Sequence, residues 1–195
     1  MTPTLRLAAA ADAPAIRDIY APYVQDTVIS FELEPPTLAE MAGRLDHAVA
    51  WLVAEAAPGD RLGYAYASKH KERAAYRWSV DVSVYLDGRY HRRGVGRALY
   101  TALFALLRAQ GYVNAYAGVT QPNAASMGLH TALGFELVGV YKQVGYKFGR
   151  WHDVAWLSLA LQPHPAEPAS PRPLGALPAD AVTDALAQGA ALLRA

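Results

Sequence analysis

Apolar and polar positions change rhythm several times along the chain, and each change predicts an element. TLRLAA (4 to 9) reads as a first strand. DAPAIRDIYAPYV then shifts to helical spacing, with Ile16, Ile19, Tyr20 and Tyr23 on one face, Asp12 as N-cap and Pro14 in the first turn. After the Pro35-Pro36 break, Thr37 with Glu40 three residues later spells a capping box and predicts a second helix. Its lead-in, TVISFEL, is more apolar than a solvated loop requires. WLVAEA (51 to 56) and RLGYAYASKH (61 to 70), joined around Pro58-Gly59, predict an antiparallel hairpin.

WSVDVSVYL (78 to 86) alternates with period two. Trp78, Val80, Val82, Val84 and Leu86 share one face, and Ser79, Asp81, Ser83 and Tyr85 the other, which sets a carboxylate mid-strand on the more polar side. Helical spacing returns in GVGRALYTALFALLRAQG, where Leu99, Leu103, Leu106 and Leu107 mark the buried face and Gly111 the stop. YVNAYAGVT predicts a strand, PNAASMGLHTALG a short helix ending at Gly134, and FELVGVYK and VAWLSLALQ the last two strands. Strands and helices interleave, so the class is α/β. Beyond Leu161 the pattern gives way to QPHPAEPASPRPLGALP, too rich in proline for a core element. The domain is therefore read as residues 1–162, and 163–195 as a Pro/Ala-rich C-terminal extension whose ADAVTDALAQGAALLRA can form a short helix that Gly189 weakens.

Composition narrows the chemistry. A chain of 195 residues with 53% apolar and 18% charged residues builds one well-cored domain. A net charge of +1 advertises no nucleic acid partner, although basic residues gather at 89–97 and suit a small anion. The absence of cysteine removes disulfides, thiolate metal sites and a cysteine nucleophile, and no metal is expected. With no leader-like apolar stretch and no window of about 18 apolar residues, the reading is a soluble cytoplasmic protein without a membrane partner.

RRGVGRALY (92 to 100) allows two readings. Gly94 and Gly96 form a tight strand-to-helix turn, or they open a helix N-terminus whose amides hold a phosphate. A P-loop fails because Gly96-Arg97-Ala98 lacks the lysine and hydroxyl, and a Rossmann fingerprint fails for want of a third glycine. Arg89, Arg92, Arg93 and Arg97 around the glycines favour a diphosphate, with solvated surface charge as the bland reading of each.

On these residues the sequence resembles the GCN5-related N-acetyltransferases (GNAT), whose acetyl-CoA loop has the pattern Gln/Arg-x-x-Gly-x-Gly/Ala, here HRRGVG (91 to 96). AYRWSVDVSVYL, QPNAASMGLHTALGF and VGYKFGRWHDVAWL, in that order, resemble the phosphinothricin and methionine sulfoximine acetyltransferase branch, and the likeness spans about residues 4 to 162. It implies a central mixed, mostly antiparallel sheet of about six or seven strands, splayed at the acetyl-CoA site and flanked by helices. It also implies acetyl-CoA as co-substrate, held by Val84, Tyr85 and Leu86 of the strand, by His91, Arg92, Arg93, Gly94, Val95, Gly96 and Arg97 of the loop, and by Asn123, Ser126 and His130. His91 departs from the usual first loop residue, which main-chain amides tolerate.

The implied reaction moves an acetyl group directly to an amine in a ternary complex, and the amine needs a base. Asp81 stands where the branch has a glutamate, one methylene shorter and so in need of a bridging water; His152 of GRWHD is the second candidate. Each also has a plainer reading: Asp81 paired with Arg77 or another cation, His152 fixed by Trp151 and Asp153, Asn123 as an N-cap, His130 as a packed helix residue. For the acceptor, Phe31, Arg73, Tyr76 and Arg77 supply aromatic walls and cations suited to an anionic amino-acid analogue. Other amines (polyamine, arylamine, protein N-terminus) and a CoA-binding protein without turnover are the alternatives, and a homodimer is the family's expectation.

Overall fold

The computed structural model describes residues 3–193. The strands are β1 (Thr4–Leu7), β2 (Ala50–Ala57), β3 (Asp60–Lys69), β4 (Ser79–Leu86), β5 (Asn114–Thr120), β6 (Glu136–Lys147) and β7 (Arg150–Ala160), and the helices α1 (Ala13–Gln25), α2 (Leu38–His47), α3 (Val95–Gln110), α4 (Ala124–Ala132) and α5 (Ala179–Ala190). One seven-stranded sheet runs in the order β1-β2-β3-β4-β5-β7-β6. Every pairing is antiparallel except β4 with β5, as the crossover through α3 requires.

That parallel pair is short. It runs from Ser79↔Asn114 to Asp81↔Tyr116 and stops, although β4 continues to Leu86 and β5 to Thr120. The strands part beyond Asp81 and leave a cleft in the middle of the sheet. Main-chain groups in the parted segments are not spent on each other, which is what leaves them available to a ligand.

Alternation assigns the two faces. Leu52, Val80, Val82, Ala115 and Ala117 pack with Leu99, Leu103 and Leu107 of α3. Trp51, Val53 and Tyr64 point the other way, onto Ile16, Ile19 and Tyr20 of α1 and Met41 of α2. The Thr37–Glu40 capping box forms as its spacing predicts: Glu40 N–H donates to Thr37 Oγ1 at 3.2 Å and Thr37 N–H to a Glu40 oxygen at 2.7 Å.

Three elements differ from their sequence reading. Asp12 does not cap α1; its buried carboxylate accepts from Arg6 and Arg61, each at 2.7 Å, because two guanidiniums satisfy a buried charge better than one helix amide. The last two strands reach much further than FELVGVYK and VAWLSLALQ, meeting in a hairpin that turns at Phe148-Gly149, so GYK before the turn and RWHDV after it are strand. Gly189, which weakens a helix in isolation, is where α5 sits on α3: a β-carbon there would collide with the Ala98 carbonyl, and lie 2.7 Å from Ala102 Cβ. The stretch leading to α5 crosses the surface, held by Trp78 Nε1 to the Ala169 carbonyl (2.8 Å) and Arg172 N–H to the Gln110 carbonyl (2.8 Å), and delivers Leu177 and Ala185 into the same core.

Candidate functional site

The parted strands and the N-terminus of α3 meet at one place. Gly94 caps α3 with φ +81°, a left-handed conformation that side chains rarely adopt, and no side chain caps the helix. The first-turn amides therefore remain open to an anion. Gly96 is buried; a β-carbon on it would sit 3.2 Å from Leu129, 3.7 Å from Leu86 and 3.9 Å from Val84, so glycine keeps the floor of the cleft low between β4 and α4. The glycines are thus both a tight turn and an open helix end.

The surrounding cations divide. Arg92, Arg93 and Arg97 are exposed beside the loop, and Arg93 lies over the Tyr90 ring at 5.5 Å. Arg89 is engaged elsewhere, with Asp87 at 2.9 Å and Asp60 at 3.2 Å, and belongs to the loop's own scaffold. His91 Nε2 lies 3.0 Å from the Tyr23 hydroxyl, which donates to the Leu86 carbonyl at 2.6 Å. His91 thereby ties the loop to α1 and to the end of β4.

The cleft is lined by Val82 to Tyr85 from β4, Ala117 to Thr120 from β5, and Asn123, Ser126 and His130 from α4, with Tyr100 beneath. Asn123 Oδ1 accepts from Ser126 N–H at 3.1 Å, so Asn123 caps α4 and faces the cleft together. His130 is buried, its Nδ1 2.8 Å from the Ser126 carbonyl and its Nε2 3.2 Å from the Tyr100 hydroxyl. Donation by Nδ1–H to that carbonyl leaves Nε2 to accept from Tyr100. Burial holds its pKa below the ordinary histidine value, so the ring is neutral near neutral pH. A larger cavity of about 400 Å³ lies at the other end of α3, lined by Gln110, Tyr112 and Trp51, a helix length of roughly 24 Å away.

On the α1 side of the sheet the cleft opens onto an aromatic surface. Register places Tyr66, Ser83, Asp81, Tyr116, Gly118 and Trp156 on this face. Asp81 accepts from His70 Nδ1 at 2.7 Å, not from Arg77. Burial raises its pKa and the His70 contact partly offsets this. His70 was not singled out from the sequence, where SKHKER reads as a strand end followed by surface charge. Counting back from the 71–78 connection sets His70 opposite Ser79 and diagonal to Asp81, the signal that could have found it.

Of the residues expected at the acceptor, Tyr76 stands edge-on to His70 at 6.0 Å and half-exposed. Phe31 lies against β6, where a β-carbon at Gly145 would collide with the edge of its ring. Arg77 stacks over Trp78 at 5.3 Å and bonds the Ala74 carbonyl and Ser170, so it holds the C-terminal strap. Arg73 is exposed at the start of the turn before β4.

His152 is not brought to Asp81. Asp81 pairs with Tyr116 and Tyr116 with Ser158, and His152 lies six residues further along β7, roughly 20 Å. It is buried beside Phe31, with ring centroids 6.2 Å apart, its Nε2 3.1 Å from the Lys147 carbonyl. Trp151 and Asp153 do not fix it: Trp151 packs on Tyr146, and Asp153 takes Lys142 at 2.8 Å. Lys147 is buried too; its ammonium donates to the Val24 carbonyl at 2.6 Å and the Ser30 carbonyl at 2.8 Å, clamping the Phe31 loop to the hairpin. Among the described residues no group of three or more His, Asp or Glu could hold a metal, and no helix is long and apolar enough to cross a membrane.

Comparison with known proteins places this arrangement. A family model described as an acetyltransferase (GNAT) domain matches residues 5–156. The chain is 39% identical over 173 residues to a phosphinothricin N-acetyltransferase of Streptomyces viridochromogenes, covering 87% of this chain and 92% of that one. It is 37% identical over 172 residues to an L-methionine sulfoximine/L-methionine sulfone acetyltransferase of Pseudomonas aeruginosa, covering 86% and 100%. Among solved structures, a phosphinothricin acetyltransferase from Sinorhizobium meliloti in complex with AcCoA superimposes with a TM-score of 0.82 at 39% identity, over 87% of this chain and 94% of that one.

Proposed function

Because this chain belongs to the GNAT acetyltransferase family, we propose that it acetylates the α-amino group of a small amino-acid analogue of the phosphinothricin, methionine sulfoximine or methionine sulfone type. Acetyl-CoA is the donor and transfer is direct, a reading supported by the lack of any cysteine to carry an acyl group. The observation that carries the reading is the parting of β4 from β5 at Asp81, beside an uncapped α3 N-terminus.

The open amides from Arg92 to Arg97 would hold the diphosphate, with Arg92, Arg93 and Arg97 adding charge at the rim. Val84, Tyr85 and Leu86 would pair their main chain with the pantetheine arm across the parted strands, and Asn123, Ser126 and His130 would line its other side. A thioester carbonyl turning tetrahedral at the cleft would take an N–H of β4 as oxyanion donor. Asp81 belongs to the proton-accepting site; His152, held at the far end of β7, supports Phe31 and the acceptor loop instead. Tyr76, Arg73 and Phe31 border the acceptor, while Arg77 serves it only by holding the strap.

Release of CoA thiol from acetyl-CoA, measured against phosphinothricin, methionine sulfoximine, methionine sulfone, a polyamine, an arylamine and an N-terminal peptide, tests the proposal. Turnover confined to the first three is expected. Turnover on the others alone reassigns the acceptor, and acetyl-CoA binding without turnover on any amine makes it a CoA-binding protein.

We also infer a cytoplasmic homodimer. β6 is an edge strand, and Leu137, Val138, Tyr141, Val144 and Tyr146 stand half or more exposed along it, a surface that a second copy would cover. Light scattering giving twice the mass of one chain is the expected result.

A further inference from the structure

We propose that His70, rather than the Asp81 carboxylate, takes the proton from the acceptor amine, and that Asp81 orients and stabilises it. This rests on the N-acetyltransferase reading and names the proton acceptor of that site.

Geometry carries the assignment. His70 follows the last residue of β3, and its Nδ1 lies 2.7 Å from Asp81 Oδ1. The ring is stacked on Tyr116 with centroids 4.4 Å apart and planes 19° from parallel, and Tyr76 and Trp156 close on its edges at 6.0 and 6.3 Å. Three aromatic neighbours thus fix the plane of the ring and the carboxylate fixes its tautomer. An ionised carboxylate only accepts, so Nδ1 carries the hydrogen and the Nε2 lone pair is free to receive a proton. Among the described residues Nε2 makes no hydrogen bond. Asp81 Oδ1 is already engaged by the imidazole, while Nε2 presents a lone pair to the acceptor.

The step balances. The ammonium of the acceptor gives one proton to His70 Nε2, and imidazolium forms against Asp81. The freed lone pair attacks the thioester carbonyl and the C–N bond forms. On collapse the C–S bond breaks with its electron pair on sulfur, which takes the second amine proton as CoA thiol. His70 then returns its proton to water.

The test is kcat/KM against pH for the wild type, His70→Gln and Asp81→Asn on the best amine of the panel. The charged and titratable groups about the ring are Asp81, the nearby Lys71, Tyr76 and Tyr116. Both variants should lose about 10²-fold at neutral pH. The acid limb should vanish in His70→Gln, and in Asp81→Asn it should persist but move to lower pH, because imidazolium has lost its carboxylate. External imidazole should restore part of the activity of His70→Ala. Unchanged acetyl-CoA KM and Tm in His70→Gln would exclude a folding defect. A limb that survives in His70→Gln and vanishes in Asp81→Asn overturns the proposal alone and leaves the carboxylate as base. A wild type inactive on every amine overturns the acetyltransferase reading and this proposal with it.

Discussion

The donor and acceptor halves of the site are built differently. The proposed donor seat is nearly continuous in sequence: the outer half of β4, the loop 87–94 and the first turn of α3 follow one another, joined by the end of β5 and by α4. The groups proposed to hold the anion there are main-chain amides, and its side chains mostly stand aside. The proposed acceptor half is assembled from β3, β4, β5, β6, β7 and the loop before α2, and it is built mostly by side chains: His70 on Asp81, Tyr116 under His70, Phe31 on Gly145, Lys147 across to the carbonyls of Val24 and Ser30. A main-chain site tolerates side-chain change provided glycine remains; a side-chain site can be retuned one residue at a time.

That contrast can be broken by variants acting on one half only. The largest effect belongs to Asp81→Asn, which should reduce kcat about 10²-fold or more while leaving the acetyl-CoA KM unchanged, read from initial rates with each substrate varied in turn. Gly96→Val should do the reverse. Its branched side chain must fit against Leu129 at 3.2 Å and under the cleft floor, so acetyl-CoA KM should rise about tenfold and the acceptor KM hold; equal changes in both would mean that the halves are not separate.

Lys147→Met should cost about 1–3 kcal/mol in urea titrations, since two buried carbonyls lose their donor, moderated by relief of a buried ammonium whose pKa burial already lowers. Acceptor KM should rise with the loosened Phe31 loop and acetyl-CoA KM should not. The smallest effect concerns pH. Burial depresses the His130 pKa, so its neutral form favours the folded state fully above the unfolded value and progressively less as pH falls toward the folded one. His130→Gln should therefore lose less stability than the wild type between neutral pH and about 1.5 units lower, compared by urea midpoints.

Legibility followed the same division. The period-two alternation of β4, the helical spacing of α3, the αL glycine at 94 and the Asn123 cap are local, so the residues that form them announce them. The cations were read less well: Arg77, expected at the acceptor, is drawn off by Ser170, a contact 93 residues away in sequence, and Arg89, expected beside the diphosphate, by Asp60. The length of the β6–β7 hairpin was missed because its exposed apolar residues break the in-out pattern of an ordinary half-buried strand. Lys147 reads as a surface lysine until the hairpin folds it over the α1 end.

By itself the sequence determined the family likeness, the order of elements, the glycine opening of α3 and the carboxylate on β4, because backbone conformation and periodicity are properties of neighbours along the chain. Only the tertiary structure decided that Asp81 faces His70, that His152 stands six residues of strand away from it, that Phe31 rests on a glycine and that Gly189 seats the C-terminal helix. Each of these depends on register between strands or on the distance of closest approach between packed elements, and those are fixed by the whole core at once rather than by any window of residues.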